Sequence, residues 1–83
     1  MDAKIEAMVK EVFQDSFELD PAILKIDAKI FDDLGLDSLD IVDLVVALQK
    51  KFGVKIRSDE RVRNIRTLGD IVDFIELLKK EGN

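Results

Sequence analysis

The chain has no histidine and no cysteine, and these two absences remove most of the chemistry a small protein can perform. Without cysteine there is no disulfide framework, no thiolate metal site and no thiol nucleophile. Without histidine a serine has no imidazole base to activate it, and no lysine lies nearer to Ser38 in sequence than Lys29 or Lys50. Long apolar runs are missing too. Nothing approaches the ~20 residues of a membrane span. The opening Met1-Asp2-Ala3-Lys4 leads straight into an amphipathic pattern rather than a signal or transit segment. Strand-like alternation goes no further than Val54-Lys55-Ile56, and there are no repeats or low-complexity stretches. These exclusions predict a non-catalytic helical protein with no metal site and no stable membrane insertion, located in the cytoplasm.

What is present is a chain of 83 residues, 47% hydrophobic. That is enough for a single domain over residues 1–83, although a chain of this size buries only roughly 60% of its unfolded surface. The net charge of -5 is unevenly spread: residues 1–30 carry -3, residues 31–49 hold five aspartates and no base, and residues 50–83 carry +3. The acidic block argues against nucleic-acid binding and for basic protein partners.

Helical spacing of Ile5, Met8, Val9, Val12, Phe13 and Phe17 predicts a first helix. Asp20-Pro21 interrupts it, with room for a short helical turn through Leu24. Residues 18–36 read as a long connection packed down by Leu19, Ile23, Leu24, Ile26, Ile30, Phe31 and Leu34. A second helix spans residues 37–52, with Asp37 as N-cap, Asp40 completing a weak capping box, and Gly53 as the stop. A short third helix is expected over residues 58–63, capped by Ser58. A fourth is capped by Thr67 with Asp70, and its core stripe is Leu68, Ile71, Val72, Ile75 and Leu78. The expected fold is all-α: a small four-helix bundle of three long helices and one short, with a long loop between the first two.

The second helix carries two apolar stripes. At 100° per residue, Ile41, Leu44, Val45, Leu48 and Phe52 fill a sector roughly 100° wide, sufficient for a core face. Leu39, Val42 and Val46 lie about opposite, bordered by Asp40 and Asp43 on one side and Gln49 on the other. Either the helix is central and buries both stripes, or the second stripe is an exposed docking strip edged by acid.

Ser38 stands at the start of this helix, where free N–H groups and the helix dipole favour a phosphate. Taken alone it reads as a first-turn serine. Asp32 and Asp33 read as capping the approach to the turn rather than as a metal or acid pair. The longer run Phe31-Asp32-Asp33-Leu34-Gly35-Leu36-Asp37-Ser38-Leu39-Asp40, followed by Val42, Asp43-Leu44 and Ala47-Leu48, resembles the modification site of acyl carrier proteins. The resemblance extends over the whole helix order.

It implies that Ser38 carries 4′-phosphopantetheine, transferred from coenzyme A by a phosphopantetheinyl transferase, with acyl groups held as thioesters on its thiol. It implies a monomeric carrier whose interior shelters the acyl chain. Asp37, Leu39, Asp40, Val42, Asp43 and Val46 correspond to the family's docking residues for acyl-transfer and chain-extending enzymes with basic patches. Asp37 is read as a cap and recognition residue, not a phosphate ligand. Fatty acid biosynthesis is the first expectation. Gln49-Lys50-Lys51 and the basic segment 57–66 depart from the acidic face of many fatty-acid carriers. They keep open a specialised carrier, polyketide-like, modified-lipid or aminoacyl/peptidyl. An unmodified helical interaction module is a further alternative, and a helix-turn-helix DNA binder is opposed by the net acidity. Bases of segment 57–66 are expected to approach the acidic face at 37–43 or the first-helix acids.

Overall fold

Three amphipathic segments become α-helices: α1 at Ala3–Phe17, α2 at Ser38–Phe52 and α3 at Leu68–Lys80. The computed structural model describes residues 2–56 and 60–82. Each helix starts on a polar cap, because the first N–H groups have no intrahelical acceptor. The Asp2 carboxylate accepts from the Lys4 and Ile5 N–H groups. Thr67 and Asp70 form a reciprocal capping box on α3. The α1 helix packs on both α2 and α3 and buries Val9, Val12 and Phe13 between them. The stripe expected on α3 is wholly buried, and Phe74 joins it. The Lys51 ammonium donates to Glu11 at 2.8 Å across α2 and α1. That hydrogen-bonded carboxylate holds the lysine above its ordinary pKa.

The short helix expected near residue 60 is a 3-10 helix, Glu60–Asn64, so the four-helix bundle becomes three α-helices and a 3-10 turn. So short a segment gains little against the cost of α-helical nucleation, and the chain straightens directly afterwards to pair with the loop. Ile30 donates its N–H to Arg66 O at 3.0 Å, and Leu68 donates to Ala28 O at 3.0 Å. The proposed Ser58 cap lies outside the described residues. No strand forms among the described residues; a single antiparallel bridge joins Lys29 and Thr67.

The long connection is packed, as its apolar content predicts. Leu24, Ile30 and Leu34 are buried, and a 3-10 turn at Pro21–Ile23 follows Asp20. Two of its expected anchors are not core residues. Ile23 and Phe31 are 42% and 48% exposed. Counting apolar residues in a loop cannot separate inward from outward ones, because a loop has no period.

The basic segment also makes a different contact from the one expected. Arg61 pairs with Glu81 just beyond α3, with N···O distances of 2.8 and 3.0 Å, and its guanidinium lies 5.5 Å from the Phe74 ring centroid. The ion pair is partly exposed, while the Phe74 ring is buried. Arg61→Gln is expected to cost about 1 kcal/mol, and the ion-pair share of the loss should shrink as salt rises. Arg63→Gln, by contrast, should leave thermal unfolding unchanged. Equal melting of Arg61→Gln and the parent chain at low salt would remove this assignment.

Candidate functional site

The approach to α2 is built as a locked turn. The Asp33 carboxylate accepts the Lys29 N–H at 2.8 Å, and the N–H groups of Asp33 and Leu34 donate back to Lys29 O. Leu34 and Leu36 are both buried. Between them Gly35 adopts φ 71°, a left-handed conformation that a Cβ disfavours. The chain can therefore plant two successive leucines in the core and still turn into the helix.

Asp37 then caps α2. Its carboxylate accepts the N–H groups of Leu39 and Asp40 at 3.0 Å each, and the Asp40 carboxylate accepts the Asp37 N–H at 3.0 Å. The capping box read from the sequence is fully formed. It also corrects one expectation. Two of the first-turn N–H groups foreseen as phosphate donors are already satisfied by Asp37. Ser38 is the first residue of α2; it is exposed, and its hydroxyl has no hydrogen bond among the described residues. It offers a free hydroxyl on a rigid helix start, without any base to turn it into a nucleophile.

The two stripes of α2 separate cleanly. Leu44, Leu48 and Phe52 are buried, and Ile41 and Val45 are half-buried against the core. Leu39, Val42 and Val46 are exposed by 77%, 62% and 43%. The alternative of a central helix buried on both sides is thereby removed. Asp37 and Asp43 are exposed and Asp40 half-buried along the border of this strip. Gln49, on its other border, uses its side-chain oxygen to accept the Ile56 N–H at 2.8 Å, which ties down the connection after α2.

Ser38 also lies on the lip of a cavity of about 260 Å³. The inner stripe of α2 forms one wall through Ile41, Leu44, Val45 and Leu48, while Ile71 and Phe74 of α3 form another. Phe31 lines it too, and its half-exposed ring places it at the opening rather than in the core. Arg63 and Arg66 complete the rim. No motif or spacing in the chain points directly to this space. Among the described residues no group of carboxylates is placed to hold a metal ion, and no helix is long and apolar enough to cross a membrane.

Comparison with known proteins agrees with this geometry. A family model described as "Phosphopantetheine attachment site" matches residues 7–75. An acyl carrier protein of Solidesulfovibrio magneticus is 46% identical over 74 residues, spanning 89% of this chain and 91% of that protein. The acyl carrier protein of Thermotoga maritima is 43% identical over 79 residues, or 95% and 94% of the two chains. One from Campylobacter hominis is 43% identical over 72 residues, covering 87% and 90%.

Proposed function

Since this chain belongs to the acyl carrier protein family, we propose that Ser38 is the residue that bears its 4′-phosphopantetheine arm. The family carries acyl groups as thioesters on that arm, usually in fatty acid biosynthesis, and the arm supplies the thiol that a cysteine-free chain lacks. One observation carries the assignment to Ser38: it is an unengaged, exposed hydroxyl at a capped helix start, on the lip of an apolar cavity. The chain's own residues present the hydroxyl and hold it still. The base that activates it must come from the modifying transferase, because no histidine is present. Asp37 keeps the helix start rigid through its cap. Its negative charge beside a phosphodiester is unfavourable, so it serves the cap and the docking enzyme, not the phosphate.

The cavity favours acyl cargo over aminoacyl or peptidyl cargo, since apart from Ser38, Arg63 and Arg66 its described lining residues are apolar. The 3-10 turn Glu60–Asn64 takes the position of a short third helix around it. The carrier itself is non-catalytic, monomeric and cytoplasmic in this reading. Incubation with coenzyme A and a phosphopantetheinyl transferase, followed by intact mass measurement, tests it. An unmodified interaction module gains no mass.

We further assign docking of basic partner enzymes to Asp37, Leu39, Asp40, Val42, Asp43 and Val46. The exposure of all but the half-buried Asp40 along one strip supports this, together with the absence of any base between residues 31 and 49. Opposite charges across such a surface speed encounter more than they tighten binding. Modification by the transferase should therefore slow as ionic strength rises. Val46→Ala should weaken partner binding while costing under about 1 kcal/mol of stability, as exposed substitutions do. A loss of several kcal/mol, typical of core truncations, would return this stripe to the core.

A further inference from the structure

Resting on the carrier reading above, we infer that the cavity beside Ser38 accepts acyl chains bearing a second, distal carboxylate, which Arg63 and Arg66 bind at its rim. Among the described residues the cavity lining is apolar except for the Ser38 hydroxyl and these two guanidinium groups, and none of the described lining residues is an acid. An all-hydrocarbon cargo needs no charge there. A carboxylate held against such a lining would be costly unless cations met it, and a guanidinium fork matches a carboxylate with paired N–H donors.

Arginine stems do cover apolar surface in many proteins, so the state of the guanidinium groups matters. Arg61, two residues before Arg63, shows a satisfied arginine in this fold: paired with Glu81 and set over Phe74. Arg63 and Arg66 are different. In a chain of net charge -5, neither guanidinium pairs with an acid among the described residues, and the Asp70 carboxylate beside Arg66 accepts that residue's backbone N–H at 2.9 Å instead. The Arg63 side chain makes no described hydrogen bond or ion pair. Arg66 uses Nη1 alone, donating to Arg63 O at 2.7 Å and Ile65 O at 3.2 Å. Those two contacts hold the Arg66 guanidinium against the end of the 3-10 turn. Its remaining donors meet no acceptor among the described residues. Two guanidinium groups with no described acid partner, on the rim of a cavity whose other described lining is apolar apart from Ser38, form a receptor for an anionic group on the cargo.

The test compares two cargoes with the same number of carbons, octanoyl and the suberyl half-thioester, each loaded onto Ser38 as the acylated arm. Intact mass first verifies loading; failure to load at all would sink the carrier reading and not this one. Thioester hydrolysis is then measured against the same thioester on free pantetheine, which gives a protection factor for each cargo. Wild-type protein should protect the suberyl cargo at least as well as the octanoyl one. In Arg63→Gln/Arg66→Gln, suberyl protection should fall about two- to fivefold, the worth of a single exposed ion pair, while octanoyl protection holds. Raised salt should reproduce the same selective loss in wild type.

Equal loss for both cargoes would mean the arginines act only as packing stems, and no loss for either would mean they do not touch cargo. If the cargo-free, arm-bearing double variant melts lower than its wild-type counterpart while the unmodified forms match, the arginines hold the arm's phosphate instead. Each of these three results overturns the inference. Should the double variant fold poorly, Arg63→Gln alone decides the question, because that side chain has no described partner to lose.

Discussion

Ser38→Ala is expected to abolish attachment of phosphopantetheine completely while leaving the fold intact. The hydroxyl makes no described hydrogen bond, and the cap of α2 belongs to Asp37, so the substitution deletes the attachment point without deleting a structural contact. Alanine is also the residue best tolerated inside a helix. Stability should therefore change by no more than about 0.5 kcal/mol, and the far-ultraviolet spectrum should be unaltered. Intact mass after treatment with coenzyme A and a transferase should show no gain. A modified Ser38→Ala protein would move the site to another serine, and the exposed Ser16 would be the described candidate to examine. Asp37→Ala makes a useful contrast. It removes a cap worth about 1 kcal/mol and a docking charge together, so it should lower both melting temperature and modification rate without abolishing either.

The second large effect is expected far from the serine. Gly69 lies in the first turn of α3, and its N–H donates to Ile26 O at 2.8 Å. A Cβ at this position would sit 2.7 Å from Ile26 Cγ2 and 2.9 Å from Ile26 O. The side chain could rotate away, but the carbonyl could retreat only by breaking the hydrogen bond that joins loop to helix. Overpacking of this kind costs about 1–3 kcal/mol, against which alanine recovers up to about 1 kcal/mol of helix propensity. Gly69→Ala should thus be a net destabilisation of about 1–2 kcal/mol. In a domain this small that lowers the melting temperature by about 5–15 °C. Because the same loop carries Phe31 and the locked turn before Ser38, modification should slow as well. Unchanged melting would show that Ile26 yields at little cost and that the loop is less tightly stitched than its hydrogen bonds suggest.

The contrast between these two positions separates local from long-range information. Asp37, Ser38, Asp40 and Gly53 were readable because caps and stops are contacts between residues three or four apart, so spacing alone reports them. The same holds for the existence of the second stripe, Leu39, Val42 and Val46, because a helix has a fixed period; that it is exposed rather than buried was decided by the packing of α2 at the edge of the core. The core faces of α1 and α3 followed from the same period. Family resemblance added what spacing alone does not, namely the expectation that a serine in this setting is the attachment point.

The rest depended on which distant segments meet. Ile23 and Phe31 face outward, Arg61 finds Glu81, and Gly69 must be glycine because a loop more than forty positions earlier in the chain presses its backbone there. The short helix becomes a 3-10 turn because the residues after it are drawn into pairing with that loop. The cavity is the clearest case. It is space enclosed by residues of α2, α3 and the connecting segments, and no single residue encodes it. Arg63 and Arg66 read in the sequence as part of a basic run; only the tertiary structure sets them on the rim beside Ser38. Capping, stripes and charge are properties of neighbours along the chain, and the sequence by itself determined them. Contacts, cavities and the company a side chain keeps are set by how the packed helices and loop close around one another, and the folded structure alone decided those.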